Sequence, residues 1–123
     1  DVERSRGLGD VYKRQELYLD HYAITESESR GVETPTVLGA KIANSLLNIE
    51  QVKASFVLTK YNGKVFVSAR SIDELNVQLM MEKLGGGGHI NMAGAQIPGL
   101  DVESAKAQIR ALIDAMIANG DAD

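Results

Sequence analysis

KASFVLTKYNGKVFVSAR, residues 53–70, is the stretch whose reading decides the fold. Two runs rich in β-branched and aromatic residues, 53–60 and 64–70, flank Tyr61-Asn62-Gly63. Runs of that composition favour extended strands. Asn-Gly suits a type I′ turn, because both central positions there need positive φ. The stretch therefore predicts an antiparallel hairpin, around which the other elements arrange themselves.

Upstream, ELYLDHYAIT (16–25) alternates enough to predict a strand, and ESESRGVET (26–34) reads as a polar loop. Thr34-Pro35 opens a helix, since proline is tolerated in a first turn. Val37, Leu38, Ile42, Leu46, Leu47 and Ile49 then share one broad face over 36–50. Downstream, NVQLMMEKL (76–84) predicts a second helix with Val77, Met80, Met81 and Leu84 as its apolar stripe. Its cap has two candidates: Ser71-Ile72-Asp73-Glu74 has capping-box spacing, and Asn76 serves equally well. AGAQI (93–97) predicts a short, tightly packed strand. DVESAKAQIRALIDAMIANG (101–120) predicts a final amphipathic helix, capped by Asp101, stopped by Gly120, with Val102, Ala105, Ile109, Leu112, Ile113 and Met116 inward. The order β-α-β-β-α-β-α implies an α/β fold, a small mixed β-sheet with packed helices.

Composition bounds the function. The 123 residues suit one domain, and 44% hydrophobic with 24% charged residues is the balance of a folded chain. A net charge of −4 argues against a broad grip on nucleic-acid polymers, which needs a basic face. A local phosphate site stays open, because it needs only a few residues. The absence of cysteine excludes disulfides and thiolate metal sites. No apolar run approaches the ~18 residues of a membrane span, and no signal-peptide pattern is present, so a cytoplasmic domain is expected. Residues 1–15 mix charges and glycines without a period and read as a linker or a cloning or sequencing scar; the domain is expected over 16–120, with a polar tail at 121–123. Asp20-His21 resembles a ligand pair but lacks a second cluster, and His21 reads as a strand-surface residue. Glu26, Glu28 and Glu33 read as solvated, and no nucleophile–base order suggests itself.

The chemistry-bearing feature is Gly85-Gly86-Gly87-Gly88-His89. One glycine makes an ordinary helix stop. Four cost far more backbone entropy than a stop requires. A stop with a connector behind it accounts for one glycine well, two tolerably and four poorly. Contiguous glycines let backbone amides approach a phosphate closely, and His89 adds a titratable donor. The spacing matches neither the P-loop nor the dinucleotide fingerprint. Arg70-Ser71 closes the hairpin. By default such an arginine is a solvated surface residue, but beside the glycine run its planar fork would suit a phosphate.

At these residues a family becomes recognisable. ARS (69–71) with NVQLMMEKLGGGGHINMAGAQI (76–97) resembles the C-terminal DHH-associated domain of the DHH phosphoesterase superfamily, most nearly that of GdpP-type cyclic-di-AMP phosphodiesterases. The resemblance covers residues 16–118 in element order, with its specific motifs in 69–97. It implies a DHH-associated fold that holds substrate against a Mn²⁺ pair carried by a separate, preceding DHH domain. The implied contacts are Arg70, Ser71, the backbone of Gly86, Gly87 and Gly88, and His89 at a phosphate, with Asn76 a weaker candidate. The resemblance implies no catalytic residue, metal ligand or cofactor within this chain. The implied partners are a cyclic dinucleotide or short oligonucleotide, the DHH domain and a second copy of the chain. No membrane contact by this domain is implied, although the parent protein of such a domain can be membrane-anchored. Met92 departs from the pattern, standing where a small or polar residue is usual. The alternative is a nucleic-acid-binding or dimerisation domain like the one that ends alanyl-tRNA synthetases.

Overall fold

The computed structural model describes residues 16–28, 34–73, 75–99 and 101–119; the expectations for 1–15, 29–33 and 120–123 lie outside them. The elements are β1 (Glu16–Tyr18), β2 (Tyr22–Glu28), α1 (Pro35–Leu46), β3 (Ala54–Tyr61), β4 (Lys64–Ser71), α2 (Val77–Lys83), β5 (Gly87–His89), β6 (Met92–Pro98) and α3 (Val102–Ala118). The six strands form one sheet in the order β1-β2-β3-β4-β6-β5. The β2–β3 pair is parallel and the others are antiparallel, so the sheet is mixed, as expected.

The hairpin forms where the sequence places it: Tyr61 pairs with Lys64, and Asn62 and Gly63 carry φ of 51° and 75°. All three helices take side-chain caps. Thr34 accepts from the Val37 amide at 3.3 Å, Asn76 from Leu79 at 3.1 Å and Asp101 from Ser104 at 2.7 Å. Asn76 thus caps α2, while Ser71 belongs to β4.

Four local expectations change. Residues 16–25 do not form one strand but turn back through Leu19 and Asp20, whose φ values are 53° and 68°. Neither is the glycine that normally announces such backbone. Beyond the turn, β2 runs on through Glu28 into the supposed loop, because β3 pairs with it in register to Lys60. Helix α1 stops at Leu46 rather than continuing to 50, and short turns carry the chain through Gln51, whose φ is 84°. Finally, Gly87–His89 is a short strand rather than a loop, paired to β6.

The two faces of the sheet are covered unequally. On one, Ile24, Phe56, Leu58, Val65, Val67 and Ala69 pack with α2 and α3 through Val77, Met80, Met81, Ile109 and Ile113, all buried. Here Arg110 grips the Glu16 carboxylate with two bonds of 2.9 and 2.7 Å, and Lys106 reaches Glu26 at 3.1 Å, fastening the β1–β2 hairpin to α3. On the other face, among the described residues, only α1 lies over the sheet, with Ile42, Ala43 and Leu46 against Ala23 and Val57. Gly39 lets α1 seat closely, since a Cβ there would lie 2.5 Å from Ser68 Oγ. Helix α1 packs mainly on β2, β3 and β4, and no other described helix or strand covers β6 and β5 on this side. Among the described residues no helix is long and apolar enough to cross a membrane.

Candidate functional site

The bare half of that second face is an open trough of about 610 Å³, within the ~300–1,000 Å³ usual for small-molecule sites. Thr36 and Ala40 of α1 wall one side, and the glycine run forms the other rim. Side chains alternate between faces along a strand. Phe66, Ser68 and Arg70 of β4 and Met92, Gly94 and Gln96 of β6 therefore share the floor. Among the described residues no carboxylate lines it.

Five of the six residues singled out from sequence meet here: Arg70, Gly86, Gly87, Gly88 and His89. Ser71 does not. It follows Arg70 on the strand and so faces the packed side, where it is buried. Its hydroxyl donates to the Leu75 carbonyl at 2.6 Å and accepts from Asn91 Nδ2 at 2.9 Å, tying β4 to the turns before α2 and β6. Asn76 is likewise committed to its cap.

The glycines divide by role. Gly85, at φ 88°, and Gly86 close a Schellman motif: Gly85 N–H donates to Glu82 O at 3.1 Å and Gly86 N–H to Met81 O at 2.8 Å. The Gly86 amide is thus spent on the helix end. Gly86 and Gly88 also press on β6, so a Cβ on either would collide with backbone of Gly94 or Met92. Gly87 alone of the last three meets nothing within 4 Å and carries no positive φ. Three of the four glycines are required by the fold, and Gly87 is left as the one the fold does not explain. It sits on the sheet's last strand, where backbone groups on the outer side lack a strand partner.

Arg70 is the site's distinctive charge. Its Nε donates to Asn44 Oδ1 at 3.0 Å and Nη1 to the Ala69 carbonyl at 2.9 Å, both neutral acceptors. No carboxylate among the described residues pairs with it, and burial pushes the guanidinium below its ordinary pKa. Guanidinium nevertheless stays charged in proteins. A half-buried cation without a counter-charge is costly, and an anion entering the trough would relieve that cost. His89 is exposed on the opposite rim.

Sequence reasoning did not reach Asn44, Thr36 or Gln96. Asn44 sits on the polar side of a helix and Gln96 in a run read only as small residues, so neither advertises a ligand before β4 and β6 are paired. His21 is no ligand candidate in the structure: it lies in the β1–β2 turn, its Nδ1 donating to Gln51 O at 2.9 Å. Among the described residues no cluster of three or more His, Asp or Glu could hold a metal ion.

Comparisons with known proteins agree with this architecture. The chain is 42% identical over 115 residues to the cyclic-di-AMP phosphodiesterase PdeA of Listeria monocytogenes, covering 93% of this chain and 17% of that protein. An exopolyphosphatase-related protein of Bacteroides fragilis superposes with a TM-score of 0.69 at 23% identity, over 90% of this chain and 34% of that one. The C-Ala domain of Aquifex aeolicus alanyl-tRNA synthetase gives 0.56 at 16% identity, over 75% of this chain and 87% of that one. Both structural likenesses establish fold alone. The DHHA1 domain matches residues 30–119, from the approach to α1 through the end of α3, and the chain belongs to that family.

Proposed function

We propose that this domain is the substrate-holding part of a phosphodiesterase acting on a cyclic dinucleotide or a short oligonucleotide. The observation that carries the reading is Arg70, a half-buried guanidinium that among the described residues has neutral acceptors only, on the floor of a trough that no described carboxylate lines. A phosphodiester supplies the missing counter-charge, and charge-assisted bonds to the guanidinium fork would orient it. Gly87 allows the ligand close to the backbone, and His89 offers a donor on the far rim. The relative from Listeria monocytogenes, a cyclic-di-AMP phosphodiesterase, supports a nucleotide ligand.

Within this proposal the hydrolytic chemistry, Mn²⁺ included, belongs to a companion DHH domain, and this chain's residues bind, orient and neutralise. A cytoplasmic setting and pairing with a second copy belong to the same reading. Titration of the 123-residue chain at fixed salt is expected to show saturable, weak binding of cyclic-di-AMP, lost in Arg70→Ala, with no turnover in Mn²⁺. Tight binding of tRNA with no response to cyclic-di-AMP would replace this reading with that of a nucleic-acid-binding domain. Robust Mn²⁺-dependent hydrolysis by the isolated chain would overturn the division of labour.

A further inference from the structure

We infer that β1 is an exchangeable arm, and that two copies of this chain pair by trading it. The inference gives a surface to the pairing proposed above and rests on that clause alone, not on nucleotide binding. Between Tyr18 and its partner Tyr22 the chain reverses through Leu19 and Asp20, which hold φ of 53° and 68°. That backbone region penalises every residue with a Cβ, and short hinges under strain favour exchange between copies. On the β2 side the hinge is firmly anchored. The His21 carbonyl accepts from the Lys53 amide at 2.8 Å, and Lys106 ties Glu26 to α3 at 3.1 Å. β1 is held differently. Its Leu17 is exposed, and only Tyr18 of the arm packs against the core. The rest of its grip on α3 is polar: Arg110 on Glu16, and the Tyr18 hydroxyl donating to Asp114 at 2.7 Å. Each of these contacts, with the ladder to β2, is equally open to β1 of a second copy.

With the hinge straightened, residues 16–28 become one strand, the form that the alternation of 16–25 predicts. Two such strands meet antiparallel across a two-fold axis, joining both sheets into one and leaving each β1 on the other copy's β2. The closed register pairs Glu16 with Ile24, Leu17 with Ala23 and Tyr18 with Tyr22. Carried through the hinge, it sets Leu19 across from the partner's His21 and diagonal to the partner's Leu19. A side chain 50% exposed in the closed form thereby gains an apolar neighbour. The same register sets Asp20 directly across from the partner's Asp20, and like charges in that position are unfavourable. Strain in the turn drives the exchange, and this pair of carboxylates restrains it.

The test measures the oligomeric state of the 123-residue chain by light scattering over a concentration series. In parallel, deuterated ¹⁵N-labelled chain is refolded with unlabelled chain and examined by NMR. Exchange is expected to give an NOE from the labelled Ala23 amide to Tyr18 protons of the unlabelled copy. Asp20→Val worsens the closed turn and removes the facing charges, so it should raise the dimerisation constant at least about tenfold. Leu19→Asn with Asp20→Gly installs residues that accept positive φ and should lower the constant at least about tenfold. A dimer with no NOE between β1 and β2 of different copies would overturn the exchange, leaving the pairing to another surface. So would a dimerisation constant that neither hinge variant moves. A monomer at every concentration, in Asp20→Val as well, removes the pairing itself. The nucleotide reading survives each of these results.

Discussion

The two faces of the sheet solve different problems with the same strands. The face under α2 and α3 is closed by Phe56, Leu58, Met80, Met81, Ile109 and Ile113, all fully buried or nearly so. The face under α1 is half closed, and its open half carries Arg70, Met92, Gly87 and His89. Neighbouring residues on one strand are divided between these tasks. Arg70 looks into the trough while Ser71 beside it is locked into the packed side. If the trough binds as proposed, stability and binding are separable here, residue by residue.

The largest effect should come from the packed face. Phe56→Ala is expected to cost about 3–5 kcal/mol in denaturant unfolding, the usual range for removing a buried aromatic. At temperatures where the variant stays folded, nucleotide affinity should hold. A large loss of affinity in folded protein would show that the faces are coupled after all. The glycine run sits where they meet and offers the sharpest contrast. Gly86→Ala forces a methyl group onto the Gly94 carbonyl and is expected to lose stability at the upper end of the ~1–3 kcal/mol range for overpacking. Gly87→Ala, with open space around it, should stay within about 0.5 kcal/mol in stability while weakening nucleotide binding.

Ser71→Ala comes next. It takes the donor from the Leu75 carbonyl and one of two acceptors from the Asn91 amide, which keeps the Asp73 carbonyl at 3.0 Å, so a loss of about 1–2 kcal/mol is expected, with affinity unchanged. A selective loss of affinity would restore Ser71 to the site. The smallest effect belongs to the sheet's far edge. The hydrogen bond from Arg110 holds the Glu16 carboxyl below its ordinary pKa of 4.5. A carboxyl depressed in the folded state adds stability above its unfolded value, and that stability is lost as pH falls through the folded value. Because the pair is partly exposed, the contribution should be under about 1 kcal/mol, read as a shallower acid limb in Glu16→Gln.

Much of this was legible in the chain, and the rest was hidden for physical reasons. The Asn62-Gly63 turn and the Asn76 and Asp101 caps are local chemistry, decided within four residues, and the structure keeps them. The Leu19-Asp20 turn was not legible, because it uses positive φ without glycine. Nor was the trough. It depends on β6 inserting between β4 and β5, a long-range pairing that sets Met92 between Arg70 and His89. The glycine run was read as a ligand loop, yet helix termination and close packing account for most of it, leaving Gly87 as the remainder.

Gly39 is not itself among the residues lining the trough, yet it works as a height adjustment for the whole wall. Adding one methyl group there would make the Ser68 hydroxyl turn aside or α1 ride up on the sheet. Thr36, Ala40 and Asn44 would ride with the helix, and Arg70 is moored to Asn44. A single carbon under the helix could thus retune the reach of the guanidinium without altering any residue that a ligand meets, which makes Gly39 a dial for pocket depth in an engineered series.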